Sequence, residues 1–573
     1  MKTESENKIC QNCKGDFTIE PDDFGFYEKM KVPPPTFCPE CRYQRRLSNR
    51  NEWNFYKREC SLCGESVVSI YNKDYPGPVY CQPCYWSDKW NTFDFGRDFD
   101  FNRPFFEQYK EHRFTVPRIA LTNKNSVNSE YTNQANDNKN CYFIEASSYN
   151  EYCLYGNWYQ TSKECVDCWV IDEGELLYEC LDCLKCYKSA WLETAADCSE
   201  CYFGMDLRGC SNCFGCVNLR GRSYCWFNEQ LDRKEYMRRF QAIDWSVEGI
   251  KENKEKTLEL RLKFPVKYYH GPSVKNCSGD YIGFSKNTHN AFNCFKNENL
   301  NHAQDAWEAK DCMDLTETMD NTFDYECEGT GWGQNNMAVS KKWYGSDVYY
   351  SELTFHSDNL FGCVSMIKKK YCVFNKQYSK TEYLVLKERI IEHMKKTKEW
   401  GEFFPTIISP FSYNESVVQE YFPLTKERAL SKGYKWYERS DRNYSSTLVP
   451  NEIPKTIDSI NDSILNEIIK CETQFNETER VKSTNCTTAF KITADELMLY
   501  RKMGIPIPKK CFACRRNNRL ALRNPRKLWH RQCMCDKKHA HHEGQCDVEF
   551  KTSYAPDRPE IVYCEKCYQQ EVY

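Results

Sequence analysis

The 573-residue chain contains no run of eighteen apolar residues, which excludes a membrane-spanning helix. It opens MKTESENK, without the apolar segment of a secretion signal, so a cytoplasmic setting with reduced thiols is expected. There is no phosphate-cradling glycine loop, nucleophile elbow or HExxH helix, and histidine is scarce at 10 residues. Those gaps leave an enzyme reading with no residues to carry it. What is plentiful is cysteine, 36 in all, and aromatic residues at 15%, a composition that suits small metal-pinned cores needing large side chains to bury area.

The cysteines at the two ends are copies of one another. An offset of 473 aligns Cys13 with Cys486, Cys38 with Cys511, Cys41 with Cys514 and Cys60 with Cys533, together with Tyr27/Tyr500, Arg42/Arg515, Arg46/Arg519, Arg50/Arg523 and Arg58/Arg531. Beyond Cys60 the offset becomes 483 and pairs Cys63 with Cys546, Cys81 with Cys564 and Cys84 with Cys567, while Cys10 answers to Cys471. Paired CxxC turns suit a tetrahedral metal, because each turn directs two thiolates at one ion. The expected ligand sets are Cys10, Cys13, Cys38, Cys41; Cys60, Cys63, Cys81, Cys84; Cys471, Cys486, Cys511, Cys514; and Cys533, Cys546, Cys564, Cys567. About four structural zinc ions follow, with every position filled by sulfur and none open to substrate. The second copy is widened by two insertions. One carries Cys535, His539, His541 and His542, which read either as an extra metal site or as a solvated loop.

Between the modules the cysteines recur every twelve residues: Cys141, Cys153, Cys165; Cys168, Cys180; Cys186, Cys198, Cys210; Cys201, Cys213, Cys225. That period predicts a β-solenoid whose rungs stack small thiols. An offset of 147 reveals a second half, matching Cys165 with Cys312, Cys180 with Cys327 and Cys216 with Cys363. Runs such as Cys180-x2-Cys183-x2-Cys186 invite an iron–sulfur or further zinc reading. Their counterparts Thr330 and Gly333 cannot ligate, which favours buried core cysteine. Charged segments at 232–262 and 379–399 are expected to be helical caps.

Residues 487–573 hold 17 Lys and Arg against 10 Asp and Glu. Arg42, Arg46 and Arg50, like Arg515, Arg519 and Arg523, are spaced by four, so a helix would align each trio. With Arg58, Arg531 and the nearby Trp53, Tyr56 and Trp529, these residues define a candidate nucleic-acid surface. The competing expectation is that the arginines cover thiolates or pair with acids of a neighbouring module.

FYEKMKVPPPTFCPECRYQRRLSNRNE, PVYCQPCYWSDKW, FGCVSMIKKKYCVFNKQY, LYRKMGIPIPKKC, LRNPRKLW and PEIVYCEKCY together resemble an uncharacterised family of cysteine-rich zinc-ribbon and β-solenoid proteins of uncultivated small-genome bacteria. The resemblance implies bound zinc and no particular reaction; the chain departs from it at both widened knuckles. The expected architecture is a mainly β, multi-domain chain with helices: a double zinc-ribbon module (1–91), a linker (92–139), two solenoid halves with helical caps (140–262 and 263–400), an irregular linker (401–456) and a second module (457–573). A helix over residues 457–469 is expected to lead into Cys471. The function expected is non-enzymatic binding of a macromolecule, with nucleic acid or a ribonucleoprotein preferred over a protein partner on the solenoid faces. A thiol redox or iron–sulfur role is the third alternative.

Overall fold

A computed structural model describes residues 4–439, 444–475 and 485–573. The chain forms two compact units, one of Met1–Leu121, Tyr269–Glu438 and Arg526–Leu528, the other of Thr122–Tyr268, Arg439–Pro525 and Trp529–Tyr573. Each unit thus joins one eight-cysteine module to one solenoid half, and the pairing is crossed. The first module packs with the second half, and the second module with the first.

Both solenoid halves are parallel ladders in which residue i faces residue i+12, as in Leu154↔Tyr142, Cys213↔Cys225 and Cys312↔Leu300. Every third residue takes a positive φ, for example Asn140, Phe143, Ala146, Tyr149 and Tyr152. A left-handed turn costs an L-residue about 1–2 kcal/mol, and the hydrogen bonding of the coil offsets it. Tyr142 N donates to Cys153 O eleven residues on, and Phe143 N donates to Glu130 O thirteen residues back. Four such corners close a coil of twelve residues, and each three-residue side turns one side chain inward. At Gly279 the phase slips by one residue in a bulge; a Cβ there would lie 1.8 Å from Ala291 O, which only glycine avoids.

This geometry accounts for the cysteines. Cys141, Cys153, Cys165, Cys168, Cys180, Cys183 and Cys186 occupy inward positions, in each case one residue past a left-handed corner, and are buried. Each thiol donates to the carbonyl two residues earlier, Cys141 to Lys139 O at 3.4 Å and Cys165 to Lys163 O at 3.4 Å. Ser147, Ser162 and Ser189 make the same contact at 2.7–2.8 Å. Small side chains carrying a donor thus recur at the inward positions, beside larger apolar ones such as Ile144, Ile171 and Leu177, and the Cys-x2-Cys-x2-Cys runs lie on consecutive sides of one coil.

Several segments differ from the expectations. Residues 123–139 belong to the ladder, with Asn123↔Ala135 and Val127↔Lys139 in register. Asn125 and Asn128 take left-handed corners, while Asn133 and Asn138 are buried and bond the backbone of neighbouring coils, so the same residue type serves the coil as serves a loop. Residues 92–121 are anchored too: Arg113 and Arg118 both fork onto the buried carboxylate of Glu352 at 2.6–2.8 Å. In 401–438, Tyr413, Val417, Val418, Ala429 and Tyr434 form a core with Tyr43 and Leu47. The helix expected over 457–469 is instead two 3-10 turns, Ile457–Ser459 and Asp462–Asn466, followed by the strand Ile469–Lys470. The side chain of Asn461 accepts from Ser463 N and starts a tight turn, while Ile457, Ile460, Ile464 and Ile469 still bury their side chains. The charged segments are helical, Arg233–Gln241 and Val247–Arg261 in one unit and Lys380–Lys396 in the other. No described helix is long and apolar enough to cross a membrane.

If the inward site selects for size and a donor, Cys165→Ser should cost no more than about 1 kcal/mol. Cys165→Phe should cost about 1–3 kcal/mol or more by overpacking. Denaturant melts of the two variants check the contrast, and equal costs would contradict this account of the coil.

Candidate metal centres and the arginine stripes

Each tetracysteine cluster is built by a short hairpin and the start of a helix. Cys10, Cys60, Cys471 and Cys533 follow the first strand of their hairpins, Glu6–Ile9, Tyr56–Glu59, Ile469–Lys470 and Trp529–Gln532. Cys38, Cys81, Cys511 and Cys564 cap the helices Pro39–Ser48, Gln82–Tyr85, Phe512–Leu522 and Glu565–Val572, and the fourth cysteine lies one turn in. The positive helix end therefore faces the sulfurs and favours their thiolate form.

The four sets are those the spacing picks out, with ligand atoms within 4.8 Å of one another in each. Cys13···Cys38 is 3.8 Å, and Cys63···Cys81, Cys471···Cys514 and Cys486···Cys511 are each 3.9 Å. A tetrahedron with metal–sulfur bonds of about 2.3 Å has edges of about 3.8 Å. The same backbone bond recurs at every site: the N–H of the capping cysteine donates to the first sulfur at 3.2–3.3 Å, Cys38 to Cys10, Cys81 to Cys60, Cys511 to Cys471 and Cys564 to Cys533. Burial raises the Cys10 thiol pKa, but the N–H groups of Cys38, Cys13 and Asn12 outweigh it and bring the group to about 6. Cys60 is brought to about 6 in the same way, by Cys81, Cys63 and Leu62. All 36 cysteines are free of disulfides. The clusters thus fit a tetrahedral, thiophilic ion. Most of the insertion between Cys471 and Cys486 lies outside the described residues, yet it leaves those two sulfurs in place.

The arginines proposed as phosphate contacts are turned inward. Arg42, Arg46 and Arg50 are each at most 1% exposed. Arg42 and Arg46, one helical turn apart, hold Asp314 at 2.8 and 3.2 Å, and Arg46 also reaches Glu326 at 2.8 Å. Arg50, just past the helix, pairs with Glu328 at 2.9 Å. In the other unit Arg515 and Arg519 hold Asp167 at 3.0 and 2.7 Å, and Arg523 pairs with Asp182 at 2.9 Å. Arg58 and Arg531 each donate to a loop carbonyl, Asn72 O and Ala555 O, both at 3.1 Å. Asp167 and Asp314 are equivalent at the 147 offset, and Asn72 and Ala555 at the 483 offset. The aromatic contacts are copied as well: Tyr27 meets Tyr325 edge-on at 5.8 Å, and Tyr500 meets Tyr178 at 5.7 Å.

The six arginines of the two trios therefore serve internal construction, while Arg58 and Arg531 are half-buried beside their loop carbonyls. A phosphate backbone would have to displace buried carboxylates to reach the trios. Burial alone would raise the pKa of Asp314, and Arg42 and Arg46 hold it below its ordinary value instead. Reading residue spacing one copy at a time misses the acidic partners; comparing the duplicated residues finds them, since Asp167/Asp314, Tyr178/Tyr325 and Tyr27/Tyr500 all coincide.

No protein-family model matches the chain, and no curated protein matches it.

Asp167→Ala should destabilise its unit by about 3–5 kcal/mol, because two buried guanidinium groups lose their shared carboxylate. Denaturant melts of the full chain would show this, whereas a cost below about 1 kcal/mol would mean that the pair is solvated.

Proposed function

We propose that the chain is a metal-pinned binding scaffold, in which four zinc ions shape two zinc-ribbon modules and the solenoid faces engage a macromolecular partner. The observation that carries this reading is the duplicated docking contact. In both copies the metal cluster orders a helix whose arginines are spent on the solenoid. All-sulfur tetrahedral sites suit zinc in a structural role and leave no coordination position for substrate.

The outer faces remain available for binding, as repeat surfaces commonly are. Tyr149 and Tyr187 stand out from one half at 63% and 47% exposure. On the other half Trp332, Tyr344 and His356 stack at 4.7 Å in a ladder of twelve-residue steps, with Tyr344 exposed. A protein partner suits such aromatic faces better than a nucleic acid does, because the arginines that favoured phosphate are already paired.

Protein purified without added metal should contain zinc, and stripping it with a chelator should melt the modules. Full-length bait should then retain a protein partner after nuclease treatment, and Tyr149→Ser with Tyr344→Ser should weaken that retention about tenfold or more. Recovery of nucleic acid alone, with affinity falling steeply as salt rises, would refute the scaffold reading in favour of nucleic-acid binding.

A further inference from the structure

The insertion Cys535-DKKHAHHEGQ-Cys546 has no counterpart in the first module, where only two residues separate Cys60 from Cys63. It folds back against its own metal cluster as a built loop. His539 N donates to His542 O at 3.0 Å across a tight turn, Cys546 N donates to Cys535 O at 2.8 Å, and Gln545 Nε2 donates to Cys533 O at 2.6 Å. Ala540 N donates to Gln570 Oε1 of the last helix at 3.2 Å. Cys535 is fully buried and the side chain of His539 is 6% exposed, unlike those of a solvated loop.

We propose that Cys535, His539, His542 and Cys567 hold a second divalent ion of the zinc class, so that the Cys567 thiolate bridges two metals in a binuclear centre. The proposal rests on the reading that Cys533, Cys546, Cys564 and Cys567 hold the first. The ligand atoms of the four residues lie within 4.8 Å of one another. His539 Nε2 is 3.1 Å from Cys535 Sγ, and His542 Nε2 is 3.1 Å from Cys567 Sγ. An N···S edge around tetrahedral zinc is about 3.5 Å, so the ion needs only a few tenths of an ångström of opening.

The second nitrogen of His542 is already committed. Nδ1 lies 2.9 Å from Gly544 O, to which it donates, leaving the Nε2 lone pair aimed at sulfur. Metal-bound imidazoles are commonly oriented by such a bond. Glu571 lies 3.6 Å from His539 Nε2, and His541 Nε2 lies 3.4 Å from Cys567 Sγ without belonging to the set. Charge favours the second ion too: two divalent ions among five thiolates carry a net −1, against −2 for one ion with four. Loading deprotonates the Cys535 thiol, releasing its proton to solvent, while both histidines coordinate through existing lone pairs.

Metal content of the full chain, by native mass spectrometry with elemental analysis, tests the assignment. Wild type should carry five ions, Cys535→Ser and the double variant His539→Ala/His542→Ala four, Cys567→Ser three, and His541→Ala five. A readout independent of variants is cadmium-113 substitution, in which two resonances should split each other through the shared sulfur. Four ions in wild type and in Cys535→Ser alike would overturn the bridged centre while leaving the four-site reading intact. Fewer than four in wild type would overturn both, and loss of an ion in His541→Ala would overturn the ligand set.

Discussion

A buried aspartate held by two arginines one helical turn apart joins a tetracysteine cluster to repeat architecture, and it does so once in each unit. The helix that presents those arginines begins at a capping cysteine of a tetrathiolate cluster. Its first turn is set by the sulfurs and its later turns by carboxylates, so the position of the tetracysteine cluster determines where the guanidinium groups fall. Buried ion pairs add little net stability, because desolvation consumes most of their attraction. Their geometry is demanding, however, and it fixes which module seats on which coil and in what register.

The solenoid imposes a complementary constraint. A three-residue side leaves room for one inward side chain, and a large one is admitted where a neighbouring inward position is glycine: a Cβ at Gly156 would lie 1.8 Å from the Tyr159 ring, and one at Gly174 2.8 Å from Leu177. Cysteine meets the need for a compact side chain that also offers a donor to the carbonyl beside it, and serine, alanine and threonine replace it elsewhere along the halves. The aromatic residues that would fill a conventional interior are displaced outward. Some are covered by the helical segment, as where Trp191/Phe203 and Phe214 lie buried against Trp245, and others stay exposed, as Tyr344 in the Trp332/Tyr344/His356 stack. A narrow interior and an aromatic exterior therefore have the same origin, and the exterior gives the proposed scaffold its binding faces.

The ligand sets and the twelve-residue period were legible in the sequence because cysteine is chemically distinctive and the chain is duplicated. The three-residue phase was harder to see, since Tyr159, Gly174, Leu177 and Ser189 occupy the same inward positions as the cysteines. Residues 123–139 looked like a linker because asparagine serves the coil as it serves loops, at left-handed corners (Asn125, Asn128) and as buried side chains bonding backbone (Asn133, Asn138). Residues 457–469 repeat isoleucine at helical intervals, but side-chain turns at Asn461 win locally. The arginine trios were misleading for another reason. Arg42 meets Asp314 across 272 residues, and no local charge run reveals so distant a partner. The same limit hid the loop around His539, whose burial depends on the last helix.

The crossed pairing of modules and halves has a consequence for the chain as it is made. Asp167 is bonded by Arg519, 352 residues further along. At roughly 5–20 residues per second, the first solenoid half waits about 20–70 s on the ribosome before its module exists. During that interval its acidic face has no partner within the chain, and the first module waits in turn for Asp314. The two units are thereby completed in sequence: the first module meets Asp314 only 272 residues after Arg42, whereas the first solenoid half must wait for the second module.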